Sequence, residues 1–165
     1  MDNTGIIRKL INSRTAALNL LLSTPGIVEA IDEVAGLVTS CYLGGGKVLF
    51  CGNGGSAADA QHLAAELSGR FYLNRKPLPA LALHVNTSHL TAVANDISFD
   101  EVYARLVEAH GQKGDILVAL STSGNSKNIL RAVEEATSAG LKTIGLTGSG
   151  RKTGWQYQSD HKGPF

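Results

Sequence analysis

A chain of 165 residues, 43% hydrophobic and 18% charged, fits one domain, and at this length folding buries roughly two thirds of the surface the unfolded chain exposes. A formal net charge of +1, with Lys and Arg scattered among Asp and Glu, excludes the basic stripe a nucleic-acid backbone requires and leaves small-molecule chemistry as the expectation. Cys41 and Cys51 lie in apolar surroundings without CxxC spacing, and no N-terminal apolar run has the form of a signal peptide or membrane span. A reduced, cytoplasmic protein with no membrane partner is expected, its thiols serving as core filler.

Between Ile6 and Leu22 the apolar residues fall at 6, 7, 10, 11, 17, 18, 21 and 22, the spacing of one helix face. Thr24 is placed to cap a second helix with Pro25 at its first position, and Ile27, Val28, Ile31, Val34, Leu37 and Val38 continue a stripe expected to be buried, up to Gly44-Gly45-Gly46. The rhythm then changes to short apolar runs, Lys47 to Cys51, Ala80 to His84, Ile116 to Leu120 and Lys142 to Leu146, separated by helical stretches at about 56–68, 100–110 and 126–139. Ser98 and Glu101 have the spacing of a capping box at the middle one. Repeated strand–helix units predict an α/β fold with a doubly wound parallel sheet and ligands at the carboxyl ends of the strands. One domain is expected over 1–150, a helical hairpin at 1–45 followed by an α/β core at 46–150, and then an irregular tail at 151–165.

Two loops follow predicted strands and open predicted helices. In Gly52-Asn53-Gly54-Gly55-Ser56 the glycines let backbone amides turn toward one point, which with a helix N-terminus suits an oxyanion or a polar sugar. Ser121-Thr122-Ser123-Gly124-Asn125-Ser126 repeats the arrangement with four hydroxyls, enough with backbone amides to hold a phosphate without lysine. Each loop read alone is equally an ordinary strand–helix turn with capping side chains. Gly52, Gly54 and Ala57 nearly spell G-x-G-x-x-A, but the stretch His84-Val85-Asn86 lacks the acidic residue that holds a ribose, and neither G-x-x-x-x-G-K-[ST] nor G-x-S-x-G occurs.

On the helix after Ser56, Asp59, His62 and Glu66 share a face. His62 and Glu66, at i and i+4, read either as a surface hydrogen bond or as two ligands of a divalent metal whose remaining ligands come from elsewhere. Glu66 also has the chemistry of a base for proton abstraction beside a carbonyl, and a helix start that grips the substrate is expected to bring it within reach. Asn95-Asp96 reads as a polar pair for sugar hydroxyls or as a loop-closing Asx turn. His84, His89 and His110 have no ligand spacing and are expected to be structural or solvated.

The segments GNGGSAADAQH, ELSGRF, RKPLPALAL, LTAVAND and STSGNS, in this order, resemble the sugar isomerase (SIS) domain family, in its phosphoheptose isomerase branch, up to about Gly150. The resemblance implies a flavodoxin-like three-layer fold and a homotetramer with active sites at subunit interfaces. It implies isomerisation of a phosphorylated seven-carbon sugar, sedoheptulose 7-phosphate, through an enediol, in lipopolysaccharide heptose synthesis. It puts Ser121, Thr122, Ser123 and Ser126 on the phosphate with Ser56, and Asn53, Gly54, Gly55, Asn95 and Asp96 toward the sugar. Glu66 is then the acid/base, and His62 with Glu66 half of a zinc site. Arg151 to Phe165 departs from the pattern of a further strand and a long helix carrying the other two zinc ligands, and His161 does not match. A truncated or frame-shifted end is the expectation there. The competing class is a non-catalytic SIS module that binds phosphosugar or associates with a replication initiator.

Overall fold

The computed structural model describes residues 2–148 and, for the backbone alone, 155–157. Its chain divides into two compact units after Ala35. In the first, α1 (Asn3–Ser23) opens with the Asp2 carboxylate accepting from the Gly5 N–H at 3.0 Å, and α2 (Ile27–Leu43) begins in this unit and continues into the second. The turn between them corrects the expected cap. The Thr24 hydroxyl donates back to the Leu20 carbonyl at 2.7 Å, closing α1, while Gly26 takes φ +82° and α2 starts at Ile27. Nor is the apolar stripe buried. No residue of α1 is, Ile6, Ile7, Leu10 and Ile11 are each more than half exposed, and Val28 and Ile31 of α2 are exposed too. Apolar periodicity marks a face suited to being covered but does not say what covers it.

The second unit is built on β1 (Val48–Gly52), α3 (Gly55–Ser68), β2 (Ala80–Ala82), α4 (Thr87–Asp96), α5 (Ala104–His110), β3 (Ile116–Ser121), α6 (Lys127–Ser138), β4 (Lys142–Thr147) and β5 (Trp155–Tyr157). The sheet order is β2-β1-β3-β4-β5, with the first four strands parallel and β5 antiparallel to β4. Every residue of β1 and β3 is buried, as expected of central strands covered on both faces, and Val48 stands opposite both Ala80 and Ile116. Leu49, Cys51, Leu117 and Ala119 meet Val93, Val107, Ile129 and Val133 in one core, so α4, α5 and α6 cover one face. Right-handed crossovers place α3 on the other face, where Ala60 and Ala64 are buried.

Strand positions agree with the periodicity to within a residue or two, except that β2 stops at Ala82 and turns into a short 3-10 helix, Leu83–Val85. Two helical features differ from expectation. No helix was expected between 87 and 96, where α4 forms, capped by the Asn86 side chain, which accepts from the His89 N–H at 3.0 Å. The helix expected from 100 is instead a 3-10 turn, Phe99–Glu101, followed by α5. Only half of the capping box forms. Ser98 Oγ accepts from the Asp100 N–H, but the Glu101 carboxylate pairs with Arg131 at 2.9 Å. In the stretch expected to be irregular, Trp155–Tyr157 adds a short strand along β4. Among the described residues no helix is long and apolar enough to cross a membrane.

At the amino ends of the strands, Asp115 is only 2% exposed and fully engaged. Its carboxylate accepts from the backbone N–H groups of Lys47 and Gln112 at 2.9 Å each and pairs with Lys47 Nζ at 2.6 Å, tying the start of β1 to the start of β3.

Candidate functional site

The loop after β1 is shaped by its first glycine. A Cβ on Gly52 would lie 2.4 Å from the Ser56 carbonyl oxygen, so the chain turns back more tightly than any side chain permits. Gly54 has φ +56° and leads into α3, whose first turn carries Ser56. The loop after β3 is stiffened by its own hydroxyls. Buried Ser121 donates to Ser126 Oγ at 3.2 Å, Ser123 Oγ accepts from the Asn125 N–H at 3.2 Å, and Gly124 takes φ +65°. The Thr122 carbonyl accepts from the Gly148 N–H at 3.1 Å, which fixes this loop to the end of β4.

The two loops meet at the carboxyl ends of β1, β3 and β4, where a cleft of about 350 Å³ is lined by Ser56, Asp59, Thr122, Thr147 and Gly148 among others. This is the edge at which open α/β sheets bind ligands. The cleft thus brings Ser56 and Thr122 together, whereas Ser123, exposed, and Ser126, half-buried, do not line it. Hydroxyls and helix-start amides converging here suit an anionic head group.

Glu66 is placed differently from the reach expected of it. Ten residues beyond Ser56 on α3, it lies about 15 Å along the helix axis from that serine, three turns in, and does not line the cleft. His62 Nε2 and Glu66 Oε1 are 3.5 Å apart, the imidazole largely exposed and the carboxylate half-buried. Arg75 anchors this end of α3, its guanidinium donating to the Glu66 and Leu67 carbonyls at 2.9 and 2.8 Å. Tetrahedral zinc takes four donors, and this pair fits two of them. Among the described residues no third metal-ligating side chain joins it.

Asn95 and Asp96 form the last turn of α4 rather than an Asx turn in a loop. Asn95 Nδ2 donates to Asp96 Oδ1 at 2.8 Å, and both are exposed. Asp96 borders a separate groove of about 500 Å³ with Asn86, His89, Arg105 and His110, not the cleft of Ser56 and Thr122.

His84, His89 and His110 are structural or solvated, as expected. His89 Nε2 meets the Val102 carbonyl at 3.1 Å, and His110 is exposed at the end of α5. His84 Nε2 meets Gln61 Oε1 at 3.3 Å, its Nδ1 is buried with no hydrogen-bond partner among the described residues, and burial pushes its pKa below the ordinary value. Both thiols are buried and unpaired, and burial pushes Cys51 up to about 12, which keeps it an inert part of the core.

Two residues of this corner escaped the sequence reading. Asn128 (3% exposed) and Tyr103 (2%) both reach Asn53 or its neighbour. Asn53 Nδ2 donates to Asn128 Oδ1 and Asn128 Nδ2 donates to Asn53 Oδ1, each at 2.9 Å, while the Tyr103 hydroxyl donates to the Gly52 carbonyl at 2.6 Å. The available signal was a polar residue on a core face: 128, 132 and 136 lie one above another on α6, and the other two are buried alanines.

Residues 16–148 match the family model described as SIS domain. The phosphoheptose isomerase of Rhodospirillum rubrum is 64% identical over 121 residues, covering 73% of this chain and 64% of that protein. The structure of phosphoheptose isomerase from Neisseria gonorrhoeae superposes with a TM-score of 0.76 at 43% identity, covering 90% of this chain and 75% of that one. A phosphoheptose isomerase structure from Francisella tularensis gives 0.83 at 41% identity, covering 91% and 78%. The matched stretch spans less than two thirds of the R. rubrum protein.

Proposed function

Because the chain belongs to the SIS domain family, we propose that it isomerises a phosphorylated seven-carbon sugar, sedoheptulose 7-phosphate, to D-glycero-D-manno-heptose 7-phosphate, in the cytoplasm and toward lipopolysaccharide heptose. The observation that carries this reading is the convergence of Ser56 and Thr122 on one cleft at the strand ends, in a chain so similar to phosphoheptose isomerases. In it, Ser121, Thr122, Ser123, Ser126 and Ser56 hold the phosphate and the 53–55 backbone faces the sugar, while Asn95 and Asp96, which do not line this cleft, bind the sugar hydroxyls from another protomer.

Glu66 is the acid/base. It takes the proton from C1 of the ketose, and the electron pair enters the C1–C2 bond as the carbonyl oxygen gains a proton. The resulting enediol receives a proton at C2 and loses one from O1, leaving the aldose. A carboxylate suits both transfers because it is a base when ionised and an acid once it has taken the proton. The distance of about 15 Å between Glu66 and Ser56 supports an assembly in which one protomer grips the phosphate and another supplies Glu66. Exposed Ile6, Ile7, Leu10 and Ile11 support the same homotetramer, since monomers rarely leave such a stripe to water. Zinc is the proposed cofactor: His62 and Glu66 would supply two of its donors, and the metal when bound would add Lewis-acid stabilisation of the enediol.

Incubating the full chain with sedoheptulose 7-phosphate tests the reading. Heptose 7-phosphate should accumulate, and Glu66→Gln should lower kcat by about a thousandfold while leaving sugar affinity within roughly twofold. Turnover by the variant equal to the parent's removes Glu66 from the chemistry. Tight binding without turnover by the parent favours instead the non-catalytic phosphosugar-binding module.

A further inference from the structure

The Asn53 carboxamide is half committed within the protein. It has two N–H donors and an oxygen with two lone pairs. Its reciprocal pair with Asn128 uses one of each, and the Tyr103 oxygen stands 3.4 Å from the same Oδ1. With a single proton, the Tyr103 hydroxyl bonds the nearer acceptor, the Gly52 carbonyl at 2.6 Å, and so holds the backbone just before Asn53 while Asn128 holds its side chain. Both partners are almost wholly buried and stand on other elements, Tyr103 at the start of α5 and Asn128 in the first turn of α6, directly after the 121–126 loop.

We propose that Asn128 and Tyr103 are positioning residues which clasp the 52–56 loop at a set distance from the 121–126 loop, so that the donors of both converge on one anion. Asn53 then acts chiefly through this clasp rather than as a free sugar ligand. The physical ground is that the 52–56 loop, tied by a doubly hydrogen-bonded amide pair to the helix turn that follows the 121–126 loop, cannot splay without leaving buried polar groups unpaired. Preformed donors bind an anion without the cost of ordering a loop first. Anion binding is taken from the phosphosugar reading above, on which the inference rests in that respect alone.

The test uses the full chain and the variants Asn53→Ala, Asn128→Ala, their double and Tyr103→Phe, with two readouts. Calorimetry gives the affinities for sedoheptulose 7-phosphate and for inorganic phosphate, and amide hydrogen exchange follows the 52–58 and 121–130 segments. Each single alanine variant should weaken both ligands about tenfold, and the double no more than the weaker single, because breaking either side opens the same clasp. Exchange over 52–58 should rise in Asn128→Ala and Tyr103→Phe, although neither residue lies in that segment. Parental affinity in Asn128→Ala, or losses that multiply in the double, overturns the clasp. Should the parent bind neither ligand, the phosphosugar reading fails, and unchanged exchange at 52–58 then decides against the clasp by itself. Tyr103→Phe, which removes one oxygen, decides the matter if Asn128→Ala does not fold.

Discussion

His84, in the 3-10 turn after β2, has one ring nitrogen against Gln61 and the other buried with no hydrogen-bond partner among the described residues, so protonation places charge where water solvates it poorly. Burial therefore lowers its pKa from 6.5. As pH falls, the unfolded chain takes up this proton first. Stability is untouched above the unfolded value, declines as pH drops from there to the lower folded value, and declines no further on this account below it. The urea midpoint should fall as pH drops below the ordinary histidine value of 6.5, and His84→Gln should flatten that fall. An identical slope in the variant places the acid sensitivity in other groups. At this scale residue types were legible and environments were not. Gly52 and Gly55 look alike in the sequence, yet a Cβ at Gly52 collides with the Ser56 backbone while one at Gly55 meets nothing within 4 Å. Asn53 likewise reads as a polar loop residue, and nothing near it in the chain shows that its amide pairs with Asn128.

Among the elements, β1 and β3 were read from sequence because strands buried on both faces are continuous apolar runs, and both are buried along their whole length. The short helix α4 was not, since Thr87, Thr91 and Val93 are β-branched and weaken the local helical preference that capping by Asn86 and packing of Val93 restore. Helix α3 was placed correctly, but its length was not converted into the distance that separates Glu66 from Ser56. The joint between β1 and β3 yields a sharp expectation. Asp115→Ala leaves two backbone N–H groups and the Lys47 ammonium without their acceptor, and should cost about 2–4 kcal/mol in urea unfolding. Asp115→Asn, which keeps an acceptor oxygen, should cost less. Equal and negligible losses in both would show that the strand starts hold together without the carboxylate.

For the molecule as a whole, the exposed face of α1 bears on assembly. If that face is covered by further copies of the chain, sedimentation should report several chains per particle, and Ile7→Glu with Leu10→Glu should shift the mass toward one chain while helix content survives. Sugar isomerisation should fall with the mass, because the two halves of the proposed site then separate. A parent that sediments as a single chain contradicts this arrangement.

The first four strands, helices α3 and α6, the two glycine–serine loops and the His62–Glu66 spacing were legible in residues close together in the chain, where periodicity and spacing carry the information. Tertiary structure alone decided which of those features meet. It joined Ser56 to Thr122 in one cleft, set Glu66 apart from both, and paired Asn53 with a residue 75 positions away. The reason is physical: local pattern dictates which way a chain turns, whereas contact across a sheet depends on strand order and packing, which no short window of sequence contains.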